Sequence, residues 1–442
     1  MSIYRYTLSD YHAIKEADIT IDGITVLAGE NGCGKSTLSR WLYYLVNGAQ
    51  RFEELVIKEF ANEVNLIMQR QFIAAREMRY YISNSVPQKN DGYISNFQFG
   101  IVDSSSVQQI QIDFEKFVLS MGTLIKDYIA NTESDKISER IFKYFNLCSY
   151  EEDCQNSMPS ADNYIKSNLE WLRQRSDKVY ADLDRRPVAQ FYDNINLDFK
   201  VRRDIPLHLQ LCEDEVELIG NDRVSSLFNL KRAIYIDTPM GLVNNSSDNF
   251  FWNELLTLVR TRYNDQLKMP EKKLVRRIKD ILHGKAIKKK NALGDVQLFF
   301  LSDDGKVNIE VEMVATGFKT FIYLQRLLEN GYLGSDCLLL IDEPEAHLHP
   351  QWIVEYARIL VLLHKELGQK IMLATHNPDM VAAIRSIAEK EQVLDKTNFY
   401  IAEPFEQSNT YRFKALGTDI SEIFTSFNIA LDRIQAYGTD SL

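Results

Sequence analysis

Gly29-Glu30-Asn31-Gly32-Cys33-Gly34-Lys35-Ser36 is the stretch on which the fold turns. It has the form G-x-x-x-x-G-K-[ST]. Its three glycines allow successive backbone N–H groups to turn inward as a nest for phosphate oxygens, a path that a β-carbon would obstruct. Before it, Ile24-Thr25-Val26-Leu27-Ala28 is β-branched and apolar, as strands are. After it, Ser36–Asn47 spaces Leu38, Trp41, Leu42 and Leu45 along one helical face, and Gly48 is the expected stop. Strand, glycine loop and helix N-terminus in that order make an anion site. Lys35 is placed to reach the β- and γ-phosphates of a nucleotide and the Ser36 hydroxyl to ligate Mg²⁺, with Gly29 through Thr37 lining the site.

A second motif lies far along the chain. Cys337-Leu338-Leu339-Leu340-Ile341-Asp342-Glu343 is an apolar run ending in two carboxylates. A strand buried on both faces reads this way, and ligand groups belong at its carboxyl end. Asp342 is the expected Mg²⁺ ligand, directly or through water. Glu343 is the expected group that orients and deprotonates the attacking water. Pro344-Glu345-Ala346-His347-Leu348-His349-Pro350 follows. His347 and His349 stand two apart, whereas helical metal ligands normally stand four apart, so no separate metal site is expected there.

Around these motifs, strands and helices alternate. Ile19–Ile21, Arg232–Ile236, Lys370–Ala374, Phe399–Ile401 and Tyr411–Phe413 read as strands, and Phe318–Glu329, Gln351–Leu367 and Met380–Ala388 as helices. Ser302-Asp303-Asp304-Gly305 reads as a hairpin turn. Asp419 with Glu422 reads as a capping box. Val107–Tyr128, Ser138–Phe145 and Asn163–Leu183 read as helices of an insertion. The expected organisation is residues 1–80 and 231–442 as an α/β body with a largely parallel sheet, and 81–230 as a largely helical insertion.

The 442 residues are 45% hydrophobic and 26% charged with a net charge of −11, which suits a globular chain and disfavours a uniformly basic nucleic-acid binder. Five cysteines in no metal spacing read as free thiols. Met1-Ser2-Ile3-Tyr4-Arg5 lacks the apolar core of a secretion signal, and no run approaches the ~18 apolar residues of a membrane span. A cytoplasmic chain is expected.

Together, Gly29–Ser36, Asp342-Glu343-Pro344 and Thr375-His376-Asn377 resemble an ATP-binding-cassette (ABC) head domain. The form of residues 342–350 resembles the non-transporter branch that includes SMC-like, RecF-like and OLD-type proteins and the ATPase subunits of anti-phage systems such as Septu and PARIS. The resemblance covers roughly 1–80 and 231–442; the insertion carries no recognisable motif. It implies an ABC-type head with antiparallel N-terminal strands, and ATP with Mg²⁺ as cofactors. His376 falls on the switch histidine that contacts the γ-phosphate. Val314-Ala315-Thr316-Gly317-Phe318-Lys319 stands where the signature segment belongs, in degenerate form, so that Thr316 and Gly317 meet a nucleotide held by a second copy. His349 replaces the aspartate that transporters carry in the D-loop. Gln69, Gln71, Gln98 and the turn Asp237-Thr238-Pro239 all remain candidates for the Q-loop, and Tyr11 is one candidate for the adenine contact.

The implied mechanism is a head-to-head dimer, or a higher oligomer, closed by ATP and reopened by hydrolysis. The stretch after His376 is short for an appended TOPRIM nuclease domain, so a nuclease effector is expected on another chain. Lys268–Lys290 carries ten Lys and Arg residues against Glu271 and Asp280, a surface for DNA or RNA, a contact for an acidic partner or merely a solvated face. Three functions remain open: an anti-phage ATPase governing a partner, a RecF- or SMC-like repair ATPase that binds DNA itself, and an ATP-gated scaffold with little turnover. No membrane partner is expected.

Overall fold

The computed structural model describes residues 2–85, 106–131, 160–199, 201, 205–220, 222–237, 250–264, 266–290, 296–406 and 408–425. The helix expected at 138–145, Gln98 and Thr238-Pro239 lie outside them. The chain divides into two compact units, Met1–Gln50 with Ile195–Leu442, and Arg51–Asn194.

The first unit is built on a ten-stranded sheet. In chain order its strands are β1 (Tyr4–Tyr11), β2 (Ile14–Ile21), β3 (Ile24–Ala28), β4 (His208–Glu213), β5 (Val216–Ile219), β6 (Arg232–Ile236), β10 (Cys337–Asp342), β11 (Lys370–Thr375), β12 (Thr397–Pro404) and β13 (Tyr411–Gly417). In space they run β5-β4-β1-β2-β13-β12-β3-β11-β10-β6. The stretch from β12 to β6 is parallel throughout, and the N-terminal hairpin β1–β2 is antiparallel. This is the α/β class expected. β3, β10 and β11 are buried at every position, the pattern of strands covered on both faces.

Helices supply that cover. Val26, Leu339, Ile341, Ile371 and Leu373 share a core with Phe321 and Leu324 of the helix Thr316–Glu329, Tyr356 and Leu360 of Pro350–Leu367, and Ile384 of Pro378–Lys390. The helix α1 (Lys35–Gln50) packs on β6, β10 and β11. It runs through Gly48, the expected stop. Asn47 explains this: its side chain exchanges hydrogen bonds with the N–H and C=O of Ala233, so that turn is held against the end of β6. The strands β7 (Gly284–Lys290), β8 (Val296–Ser302) and β9 (Asn308–Glu310) form a separate antiparallel sheet. Gly305 adopts φ +71° in the β8–β9 turn, as the Asp-Gly pair requires. At Asp419 the cap is half made: its carboxylate accepts from Ser421 N, while Glu422 pairs with Lys414.

The second unit is helical. Phe52–Ser85, Val107–Asn131 and Ala161–Arg185 pack together around Phe60, Phe114 and Leu172. The division differs from the boundaries expected at 80 and 230. Residue 80 lies inside one continuous helix, Phe52–Ser85. Residues 208–213 and 216–219 are the strands β4 and β5, and β4 pairs with β1 from Tyr4↔Glu213 to Ser9↔His208. No helix among the described residues is long and apolar enough to cross a membrane.

Candidate functional site

The register of the parallel strands assembles the site. Ala28 of β3 stands opposite Thr375 of β11, Ala374 opposite Asp342 of β10, and Ile341 opposite Ile236 of β6. Four strands therefore end side by side. The residues just beyond them are Gly29, His376, Glu343 and Asp237, brought together from four distant parts of the chain. The carboxyl edge of a parallel sheet is where such folds bind ligands.

The phosphate loop leaves β3 and enters α1 at Lys35. Gly34 has φ +100°, and a β-carbon there would meet Ile14 Cγ1 at 2.6 Å, so both conformation and space demand glycine. Lys35 is buried, and its ammonium folds back over the loop to donate to Gly29 O and Glu30 O, each at 2.8 Å. Cys33 Sγ lies 3.7 Å from that ammonium, and burial pushes its thiol up from the ordinary range. Ser36 and Thr37 are half-buried in the first helical turn.

Asp342 is 1% exposed. Burial pushes its carboxyl up from the usual carboxylate range, and the hydroxyls of Tyr235, Ser36 and Ser39 pull it back toward the ionised form. Tyr235 donates to Oδ2 at 2.6 Å. Oδ1 makes no hydrogen bond of good geometry among the described residues. A buried carboxylate oxygen left over beside a serine hydroxyl fits a hard divalent cation such as Mg²⁺.

Glu343 adopts φ +46°, a left-handed conformation that costs a non-glycine residue about 1 kcal/mol. It is held there because its N–H donates to Ala374 O at 2.8 Å, extending the β10–β11 ladder, while its carbonyl accepts from Ala346 N. The resulting turn sets its carboxylate 3.4 Å from His376 Nδ1. Glu345, two residues on, lies 3.5 Å from the same nitrogen and is almost fully buried. Its Oε1 accepts from Thr375 Oγ1 at 2.6 Å and from His376 N at 3.1 Å. Burial raises its carboxyl; the Thr375 and backbone bonds and the nearby His376 work against that rise.

The expected residues fall in two groups. Gly29–Thr37, Asp342, Glu343 and His376 meet at one sheet edge. Thr316 and Gly317 start the helix Thr316–Glu329, and Gly317 approaches the segment after Glu343: a β-carbon there would lie 2.9 Å from His347 O. Lys319 is buried and donates to Glu312 O, tying the helix start to the preceding turn. His347 is left-handed at φ +66°, and His349 stands at the N-terminal cap position of the helix Pro350–Leu367 without a side-chain cap bond.

Two candidates find other surroundings. Gln71 is buried within the helical unit, bonded to Asn168 and Tyr164. Tyr11 is nearly buried, edge-on to Trp41 and over His12 at 4.1 Å. Asp237 pairs with Arg40 of α1 at 3.4 Å.

Sequence reasoning assigned no role to Tyr235 or Glu345. A tyrosine inside an apolar strand, and a third carboxylate behind Asp342-Glu343, were the available signals.

The AAA ATPase domain family matches residues 249–381, a segment that holds Asp342, Glu343 and His376 and excludes the phosphate loop. No curated protein matches. Among solved structures, the Smc head domain bound to the C-terminal domain of ScpA, from Pyrococcus furiosus, is similar at 11% identity, covering 98% of this chain and all of that one, with a TM-score of 0.35. The SMC head domain from Thermotoga maritima is similar at 8% identity over 94% of this chain and 99% of that one, TM-score 0.35. CbiO1 from Clostridium perfringens, part of an ABC transporter complex, is similar at 16% over 57% of this chain and 83% of that one, TM-score 0.27. TM-scores this low say nothing of activity or partners. Residues 249–381 are thus similar to an AAA ATPase domain, and the strand β3, the glycine loop and α1 lie outside that match.

Proposed function

We propose that this chain is an ATP hydrolase of the ABC-head type. The observation that carries the reading is the shared carboxyl edge of β3, β11, β10 and β6, where Lys35, Ser36, Asp342, Glu343 and His376 converge. The loop N–H groups of Gly29–Thr37 and the Lys35 ammonium bind the phosphates. Ser36 and Asp342 would hold Mg²⁺, which when bound would supply positive charge against the phosphates. Glu343 takes the proton of the attacking water, and His376 orients the terminal phosphate.

Thr316 and Gly317 complete the site of a second copy, so that nucleotide closes a head-to-head dimer. In this reading the dimer controls a separate effector, a nuclease of an anti-phage system. The support for that is the resemblance of residues 342–350 to such ATPases.

The test is Glu343→Gln. Turnover is expected to fall by about two orders of magnitude or more with ATP binding kept, as for loss of a general base. Native mass with ATP should show the dimer accumulating. Unchanged turnover would sink the assignment of Glu343, and an ATP-independent monomer would sink the dimer.

A second reading, direct DNA binding, is favoured by one observation. Lys272, Lys273 and Arg276 on the helix Met269–Leu282 and Lys285, Lys288 and Lys290 on β7 are all exposed.

A further inference from the structure

The turn after β11 is built around a carboxylate that the hydrolytic scheme above leaves unused. Glu345 is 6% exposed, and its side chain is 3% exposed. Burying a carboxylate is costly unless its oxygens are engaged. Oε1 is engaged twice, by the Thr375 hydroxyl and by the backbone N–H of His376. The Thr375 hydroxyl in turn accepts from Asn377 N at 3.0 Å. Asn377 caps the next helix, its side chain accepting from Asp379 N and Met380 N. Residues 375–377 are thus pinned from one side by a single oxygen of Glu345. The other oxygen, Oε2, is buried with no hydrogen-bond partner among the described residues.

The ring of His376 faces two acceptors at once. Its Nδ1 lies 3.4 Å from Glu343 and 3.5 Å from Glu345, close to both carboxylates and in a well-formed hydrogen bond with neither. Two carboxylates therefore compete for one ring nitrogen. If His376 settles on Glu343, the carboxylate that must take a proton from water is occupied. If it settles on Glu345, Glu343 is released and the ring is anchored at both backbone and Nδ1, which leaves Nε2 to meet an oxyanion. Catalytic hydrogen bonds are commonly long without substrate and tighten with it.

We propose that Glu345 is a positioning residue that holds His376 by its backbone N–H and Nδ1, drawing it off Glu343 so that both reach their working geometry. This rests on the ATPase reading above. Glu345→Gln keeps an acceptor for Thr375 and His376 N and loses the charge that attracts Nδ1.

The experiment is a double-mutant cycle on steady-state ATP turnover by the full chain, with thermal unfolding in parallel. The single substitutions are Glu345→Gln and His376→Ala. Glu345→Gln is expected to lower kcat by about tenfold to a hundredfold, as sub-ångström to ångström misplacement does, with KM and thermal midpoint unchanged. In the His376→Ala background it is expected to cost nothing further. Glu345→Asp, which is too short to reach, should not restore turnover. Multiplicative losses in the double variant, or a Glu345→Gln variant with the kcat of the unmodified chain, overturn the proposal. So does a fall confined to KM and the thermal midpoint, which would make Glu345 merely structural. Absence of ATP turnover in the unmodified chain overturns the ATPase reading and this inference with it.

Discussion

Tyr235 shows how much of the site rests on one hydroxyl. It sits in β6, one strand away from Asp342, and is pushed well above the ordinary tyrosine range by burial and by the Asp342 charge. It therefore stays protonated and donates, fixing Oδ2 of Asp342 and leaving Oδ1 for the Mg²⁺ proposed above. Groups that orient a metal ligand are commonly worth ten- to a hundredfold in metal affinity. Tyr235→Phe is expected to raise the Mg²⁺ concentration needed for half-maximal binding of a fluorescent ATP analogue by roughly tenfold. Binding at saturating Mg²⁺ should be retained. A Mg²⁺ midpoint identical to that of the unmodified chain would show that Asp342 needs no such help. The strand position of Tyr235 was readable from its apolar neighbours. Its partner was not, because β6 and β10 are joined only by a register that spans about a hundred residues of chain.

At the scale of elements, β4 was the least legible part of the fold. Leu209 and Leu211 are buried and alternate with exposed His208 and Gln210, a period of two that is real but short. The third inward position is Glu213, which breaks the apolar pattern. In the folded chain this carboxylate is satisfied: it accepts from Tyr4 Oη, Phe228 N, Asn229 N and Asn229 Nδ2. Burial opposes its ionised form, and those donors outweigh burial and hold it below the usual carboxylate range. Glu213→Ala strands the buried Tyr4 hydroxyl and three part-buried donors of Phe228 and Asn229, so a loss of about 3 kcal/mol in unfolding free energy is expected. Chemical denaturation followed by circular dichroism measures it; a loss under about 0.5 kcal/mol would mean the network contributes nothing. Parallel strands such as β10 and β11 were legible for the opposite reason. Six consecutive buried positions leave no ambiguity between strand and surface loop.

Across the whole molecule the charge is uneven. The chain carries a net −11, yet the exposed cations of the helix Met269–Leu282 and of β7 lie in one stretch of sequence. Lys288 is lowered from the ordinary lysine range first by partial burial of its side chain, then by Arg326 and Arg262, with Glu329 working against them. If the second reading holds, replacing Lys288, Lys289 and Lys290 by Gln weakens binding to duplex DNA. It should also reduce the slope of log K against log salt by about 2 to 3, because each phosphate that the chain no longer neutralises lowers the slope by about one. Fluorescence anisotropy over a salt series reads both. An unmodified chain that binds no DNA at low salt removes the reading altogether.

Gly29–Ser36 and Asp342-Glu343 were legible in the sequence because their chemistry is local. A glycine nest, an apolar strand and adjacent carboxylates are each specified by consecutive residues. The helical character of the segments around 107–131 and 161–185 was local too. What only the tertiary structure decided is non-local. It set the unit boundaries at 50 and 194, joined β4 to β1, and placed Tyr235 on Asp342 and Glu345 on His376. Each of these depends on strand order and register, which arise when distant segments bury their faces together and which no run of neighbouring residues encodes.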